Sequence, residues 1–206
     1  MSIDLSPPET GWITPARQLR RLLPGLFPEQ GHWTEETYLA MTDDATRLIE
    51  FTDGFIEVLP MPTTRHQKIL KRLFKRFDAY LEPIGGTVHF APLRLRIRAR
   101  KFREPDLLGL LSEGDPRLQD RFWTGADFAL EVVSKNKPAR DLVDKRFDYA
   151  EGHVPEYWIV NPLDRTITVL VLVKKTYQTH GIFREGERAT SVVVDGFGVD
   201  VSEILA

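Results

Sequence analysis

The clearest hydrophobic pattern in the chain lies over residues 66–81. Apolar residues recur there at helical spacing and form one face, with basic residues between them. This spacing predicts an amphipathic helix that ends before a pair of glycines. A second helix is predicted over 139–151. Shorter helices are predicted at 16–23 and from Thr34 to about Met41, where two glutamates follow a residue type that caps helices.

Other segments have the patterns of β-strands. Asp53-Gly54 separates two alternating runs, 48–51 and 55–59, which indicates a tight hairpin. The run 127–133 is almost continuously apolar and predicts a buried strand. The remaining predicted strands span 87–91, 93–99, 106–111, 156–161, 167–173 and 190–194.

The order of these elements restricts the fold. The strands within 87–111 follow one another too closely for the long crossovers that parallel strands need. We therefore predict a mixed α/β (α+β) fold, in which helices flank a central mixed sheet, with extra N-terminal helices and C-terminal antiparallel strands. A single domain is expected over 1–206, with an N-terminal appendage (1–32), a core (33–173) and a C-terminal β extension (174–206).

The composition changes this picture little. The chain has 206 residues, of which 42% are hydrophobic and 28% are charged, as in a protein with one compact core. Because the net charge is only -2, a nucleic-acid surface would have to concentrate its basic residues locally. The lack of cysteine excludes disulfides and thiolate chemistry. No run approaches the roughly 20 apolar residues that span a bilayer, so we expect a cytoplasmic protein with no membrane partner.

Two acidic residues stand where a divalent cation could be held. Asp106 opens a predicted strand, and Glu131 lies inside an otherwise apolar one. Mg²⁺ takes oxygen ligands and is usually bound by one or two carboxylates, waters and substrate phosphates. Burial of Glu131 costs free energy unless it meets a cation or a hydrogen-bond donor. The alternative is that Glu131 faces solvent or pairs with a nearby arginine.

Lys145 and His66 are candidates for the same chemistry. On the predicted helix 139–151, Asp141, Lys145 and Tyr149 fall four residues apart and share one face. A surface ion pair between Asp141 and Lys145 explains that spacing equally well. His66 opens its helix and could border a site, or it could be a partly buried residue with its own hydrogen-bond partner.

A further candidate is the segment 93–100, where apolar residues alternate with arginines. As a strand, this segment would bury one face and present a row of guanidinium groups on the other. Arg94, Arg96 and Arg98 are therefore candidates for contacts with a nucleic-acid backbone. The alternative is that these arginines pair with neighbouring acids.

Taken together, several ordered segments resemble the Uma-type (Uma-two) family of restriction-endonuclease-like proteins, within the PD-(D/E)xK nuclease superfamily. The resemblance covers residues 33 to 173. The segments that carry it are Ile49-Glu-Phe-Thr-Asp-Gly, Glu57-Val-Leu-Pro-Met-Pro-Thr, His66-Gln, Arg103-Glu-Pro-Asp, Gly125-Ala-Asp-Phe-Ala-Leu-Glu-Val-Val-Ser, Arg140-Asp-Leu-Val-Asp-Lys, Asp148-Tyr-Ala and Val154-Pro-Glu-Tyr-Trp-Ile-Val-Asn-Pro.

The resemblance implies a restriction-endonuclease-like core with a catalytic set of Asp106, Glu131 and Lys145, in which the two carboxylates hold a divalent metal. The usual motif has its lysine two residues after the glutamate, where this chain has Val133. In this family the lysine lies on the following helix, and Lys145 occupies the matching place. Lys135 is the fallback candidate.

These assignments lead us to expect a metal-dependent endonuclease that hydrolyses DNA, with double-stranded DNA as substrate. A homodimer is plausible because a double-strand cut needs two centres. Mg²⁺, or alternatively Mn²⁺, would polarise the phosphodiester and supply a water. Lys145 would orient that water or neutralise the charge that builds on the phosphate. The expected auxiliary residues are Glu50, Glu57, His66, Asp141 and Tyr149.

Two other functions fit the same residues. The chain could be an inactive nuclease fold that serves as a nucleic-acid-binding or protein-interaction module, and it would then bind metal without cleaving any substrate. It could also be a regulatory protein whose carboxylates pair with the arginine row. In that case a divalent metal should not raise its melting temperature.

Overall fold

A computed structural model of the protein describes residues 27–134 and 143–206. The predicted helix at 16–23, the start of the predicted helix 139–151, and the residues Lys135 and Asp141 lie outside this part. None of the described helices combines the length and hydrophobicity needed to cross a membrane. The α-helices of the described part are α1 (Glu35–Thr42), α2 (Thr64–Leu81), α3 (Lys145–Glu151) and α4 (Val201–Leu205).

Three sheets account for the strands of the described part. The largest has the order β10-β9-β8-β7-β6-β3, the second has the order β2-β1-β5-β4, and β11 pairs with β12. The strands are β1 (Ile49–Thr52), β2 (Phe55–Val58), β3 (Thr87–Phe90), β4 (Leu95–Arg98), β5 (Lys101–Arg103), β6 (Leu107–Leu110), β7 (Phe128–Val132), β8 (Glu156–Asn161), β9 (Thr166–Val173), β10 (Thr176–Arg184), β11 (Arg188–Thr190) and β12 (Gly198–Asp200).

The six-stranded sheet is mixed, because β7 and β8 run parallel while its other neighbouring strands are antiparallel. α3 lies between β7 and β8 in the chain and provides the crossover that parallel neighbours need. The predicted mixed α/β fold, with a central mixed sheet flanked by helices, is therefore confirmed. The predicted boundary after residue 173 falls in the turn of the β9–β10 hairpin, and the division into appendage, core and extension stays a prediction.

The strand β7 is buried on both faces because helices cover both sides of the sheet. Phe128 and Leu130 pack with the apolar face of α2 in one hydrophobic cluster. Ala129 packs with Tyr149 of α3 in a second cluster. Side chains alternate along a strand, so Glu131 points to the same face as Ala129. The apolar run of the sequence thus carries one carboxylate towards α3.

The four-stranded sheet contains a strand that the sequence pattern did not predict. Arg100 turns the chain with a φ of +63°, and the three residues of β5 then pair with both β1 and β4. The short β5 follows β4 directly and is rich in basic residues, which conceals it in the sequence. Its Phe102 is buried with Phe51 and Tyr38, so the sheet packs against α1.

The predicted strand over 190–194 is wrong. β11 ends at Thr190, and the chain then turns because its backbone bonds to a buried carboxylate of β8. Glu156 accepts hydrogen bonds from the backbone N–H of Val192 at 2.6 Å and of Val193 at 3.1 Å. Ser191 Oγ and Trp158 Nε1 also donate to Glu156 Oε1, each at 2.6 Å. The helix α4, which follows β12, was likewise not predicted.

We expect Glu156→Gln to lower the free energy of unfolding by about 2–4 kcal/mol, because the amide can accept at only one of the two oxygen positions and leaves buried donors without a partner. Urea unfolding followed by circular dichroism would measure this. The matched control is Glu185→Gln, which removes an exposed ion pair with Arg165 and should leave stability unchanged. Equal effects of both substitutions would contradict the proposed anchoring role of Glu156.

Candidate active site

Asp106 and Glu131 come together because their strands are antiparallel neighbours. Leu107, which follows Asp106, lies opposite Leu130 in the β6–β7 register. The start of β6 and the end of β7 therefore share one edge of the sheet. The backbone N–H of Val132 donates to Asp106 Oδ2 at 2.7 Å, which fixes the carboxylate at that edge.

His66 reaches the same carboxylate from the first turn of α2. Its Nε2 lies 3.0 Å from Asp106 Oδ2, and both side chains are largely buried. Thr63 caps this helix by accepting a hydrogen bond from the backbone N–H of His66. The start of α2 thus holds the imidazole of His66 beside Asp106, which is the position expected of a residue that borders a site.

Lys145 and Tyr149 both bind Glu131 from α3. Lys145 Nζ and Tyr149 Oη each lie 2.5 Å from Glu131 Oε1, and all three side chains are buried. Burial, followed by the charge of Glu131, raises the pKa of Tyr149 well above its ordinary value, so the phenol remains a hydrogen-bond donor. The predicted helical spacing of Lys145 and Tyr149 therefore brings both to one acceptor.

Of the two hairpin glutamates, only Glu50 enters this group. Glu50 is buried, with Oε1 3.7 Å from Lys145 Nζ and Oε2 3.5 Å from Arg103 Nε. Glu57 lies opposite Glu50 in the β1–β2 register. Its side chain is exposed and is not among those that border the cavity described below.

Glu104 belongs to the site although the sequence analysis passed over it. Its buried carboxylate accepts the backbone N–H of Ile49 at 2.8 Å. Its pKa is raised to about 7, mainly by burial and also by the charge of Glu50, while the hydrogen bond from Ile49 opposes the shift. One signal was present: Glu104 and Asp106 are two residues apart, and such residues share a side of an extended chain.

Arg103 and Asp148 connect the second sheet with α3. Arg103 Nε donates to Asp148 Oδ2 at 2.6 Å, and Lys101 Nζ lies 2.5 Å from Asp148 Oδ1. Burial lowers the pKa of Arg103, but Glu50 and Asp148 outweigh it, and the net shift is upward. These residues were also missed, because ion pairs between distant segments have no periodic pattern.

Three of these acidic residues border one cavity of about 740 Å³. Glu104, Asp106 and Glu131 line it together with Lys145 and His66. Within residues 27–134 and 143–206, no group of three or more histidines and acids is arranged to enclose a metal ion. Two carboxylates are sufficient for Mg²⁺, which keeps several waters and completes its shell with substrate phosphates.

The arginine row of β4 is paired with acids, as the alternative interpretation proposed. Leu95 and Ile97 are buried, and the arginines between and beside them face carboxylates of other segments. Their role as nucleic-acid contacts stays a prediction. The pairs are Arg94–Asp43 at 2.8 Å, Arg96–Glu35 at 3.0 Å, Arg98–Asp53 at 2.8 Å and Arg98–Glu151 at 2.7 Å.

Two predicted site residues, Lys135 and Asp141, lie outside the described residues. Ser134, the last described residue before this gap, borders the cavity. The segment that leaves β7 therefore starts beside the acidic group, and Lys135 stays a candidate for the lysine role.

Comparison with known proteins identifies the family and the fold of the chain. The model of the Uma2 family, described as "Putative restriction endonuclease", matches residues 35–202. The chain belongs to this family. The Uma2 fold is also similar to the crystal structure of a "putative nuclease belonging to DUF820" from Anabaena variabilis ATCC 29413, with a TM-score of 0.70 and 16% identity over 84% of this chain and 97% of that one. Curated proteins gave no match.

The raised pKa of Glu104 predicts a specific pH dependence of stability. The folded protein binds this proton more tightly than the unfolded chain, whose pKa lies near 4.5. Stability from Glu104 is therefore complete below pH 4.5 and is lost as the pH rises through about 7. Glu104→Gln should remove this part, on the order of 3 kcal/mol between pH 5 and pH 8.

Urea unfolding in metal-free buffer with EDTA, at a series of pH values, would measure the difference between the two proteins. Glu36→Gln, on the exposed face of α1, is the control and should follow the wild type at every pH. Parallel curves for Glu104→Gln and the wild type would contradict the assignment.

Proposed function

We propose that this chain is a metal-dependent nuclease whose reaction centre consists of Asp106, Glu131 and Lys145. The observation that supports this most is the convergence of the three side chains at one cavity, from the start of β6, from β7 and from α3. Membership of a family described as "Putative restriction endonuclease" supports a nucleic acid as the substrate, and DNA is the form we expect.

The donor set suits Mg²⁺ or Mn²⁺. Both hydrogen bonds that Asp106 accepts from described residues end on Oδ2, which leaves Oδ1 available as a ligand. Glu131 is the second carboxylate at the cavity, and the buried Glu50 and Glu104 add negative charge nearby. A divalent cation bound there would polarise the phosphodiester and lower the pKa of a coordinated water.

Lys145 has a role that follows from its position. Its ammonium group lies between Glu131 and Glu50 and borders the cavity. An ammonium group placed there can donate to the attacking water or to a phosphate oxygen, and it neutralises negative charge as that charge builds. Tyr149 holds Glu131, and His66 holds Asp106, so both act by fixing the orientation of a carboxylate.

Cleavage of supercoiled plasmid and of labelled single strands, with Mg²⁺ or Mn²⁺, tests the proposal. We expect Asp106→Asn, Glu131→Gln and Lys145→Met each to lower the cleavage rate by about 100-fold or more, since each removes a group that stabilises the transition state. EDTA should abolish cleavage. Lys75→Met, on the exposed side of α2, is the matched control and should leave the rate unchanged.

Circular dichroism of each variant is needed, because Lys145→Met leaves the buried Glu131 with less compensation and can reduce folding. Asp106→Asn is nearly isosteric, so it separates loss of activity from loss of fold. If cleavage persists in Lys145→Met but is lost in Lys135→Ala, the catalytic lysine is Lys135 and not Lys145. Metal binding without cleavage of any DNA or RNA would favour the inactive binding module.

Metal binding itself has a separate readout. At a concentration 100 times the dissociation constant, Mn²⁺ should stabilise the folded protein by about 2.7 kcal/mol, which raises Tm by about 5–10 °C for a chain of this size. Asp106→Asn should lose most of this shift. An identical Tm in Mn²⁺ and EDTA, together with cleavage in EDTA, would exclude the metal-dependent mechanism.

A further inference from the structure

Apolar side chains as well as the acidic group line the cavity, and we call the apolar set its apolar wall. Three large hydrophobic side chains that line it are strongly exposed: Met61 at 66%, Phe90 at 55% and Leu163 at 45%. Pro60 and Pro92 extend the same wall. Exposed apolar residues that cluster in a concave site indicate a ligand with an apolar surface. A phosphate backbone alone offers no such surface.

Phe90 is held close to the proposed metal ligand. It ends β3, the outer strand of the sheet, and lies opposite Leu107, the residue after Asp106. The following N–H, of Ala91, donates to the backbone carbonyl of Asp106 at 3.3 Å. Phe74 of α2 supports the ring edge-on, with centroids 5.2 Å apart. The ring is therefore a supported platform with much of its surface open to the cavity.

Two arginines at the cavity provide positive charge, which favours a ligand that carries phosphate groups. Arg47 and Arg65 line the cavity and are exposed. Among the described residues, no carboxylate lies within ion-pair distance of either guanidinium, in contrast to the arginines of β4. Arg65 instead donates to the carbonyl of Pro162 at 3.1 Å, beside Leu163 of the apolar wall. Cations and an exposed aromatic ring that line one cavity are complementary to the phosphates and bases of a single strand.

We propose that this cavity binds an unpaired nucleobase beside the scissile phosphate, with Phe90 as its stacking platform and Arg47 and Arg65 as contacts to the flanking phosphates. This inference rests on the proposed nuclease function. It assigns single-stranded nucleic acid as the substrate class, in contrast to the double-stranded DNA expected from the sequence. In a duplex each base is stacked on both faces, so it reaches Phe90 only after leaving the stack, which costs free energy.

Fluorescence anisotropy with a labelled mixed-sequence DNA strand, the RNA strand of the same sequence, and the DNA duplex would test this inference. The measurement is made with Ca²⁺ in place of Mg²⁺, so that no cleavage is needed. We expect the wild type to bind single strands at least about 10-fold more tightly than the duplex. Phe90→Ala should weaken single-strand binding by about 5- to 100-fold, the range found when a stacking ring is removed, and should change duplex binding little.

Controls separate stacking from general effects. Phe55→Ala removes a ring of equal exposure, 57%, outside the cavity and should change no affinity. Phe90→Trp should retain single-strand binding because it keeps an aromatic face. Arg47→Ala and Arg65→Ala should weaken binding of both strand types and reduce its salt dependence. Comparison of the affinities for the DNA strand and the RNA strand shows which of the two kinds of single strand the cavity binds.

The two proposals fail in different ways. Equal affinity of the wild type for single strand and duplex, or an unchanged affinity in Phe90→Ala, would overturn the base-binding inference even if the protein cleaves DNA. A single-strand preference that disappears in Phe90→Ala and persists in Asp106→Asn, without cleavage of any substrate, would support base binding and count against the nuclease.

Discussion

The ion pair between Glu131 and Lys145 is the interaction on which the centre of the molecule depends. Glu131 is a buried residue near the end of the hydrophobic strand β7, where an uncompensated carboxylate would cost several kcal/mol. Lys145 and Tyr149 supply the compensation from α3, and Glu50 brings the second sheet to the same lysine. One buried charge thereby connects a helix and two sheets.

Three carboxylates of this group, those of Glu50, Glu104 and Glu131, are buried together. Among the ion pairs between described residues, Lys145 pairs with Glu131 and Glu50, and Arg103 pairs with Glu50. Burial is the main cause of the raised pKa of Glu104, and the negative charge of Glu50 adds to it. Concentrated negative charge lowers the stability of the folded protein and favours a bound cation. The same buried carboxylates therefore both destabilise the fold and support the proposed metal-dependent function.

Sequence reasoning recovered the parts of the molecule that depend on local pattern. The spacing of apolar residues predicts the amphipathic α2 and the apolar β7. The sequence also places Asp106 at the start of a strand and Glu131 within one, and the pairing of β6 with β7 then brings these two carboxylates together. Sequence reasoning could not identify the features that depend on contacts between segments far apart in the chain. Glu104 acquires its environment from Glu50 and Ile49, and β5 exists because β1 and β4 pair with it. The arginine row shows the same limit, because its acidic partners come from other segments.

The long chain separation of Glu50 from Glu131 and Lys145 has a consequence for biosynthesis. These residues meet only when the hairpin, the central sheet and the following helix have all been made and have docked, and contacts of such separation form late in folding. A partly synthesised chain on the ribosome therefore has no assembled charge cluster.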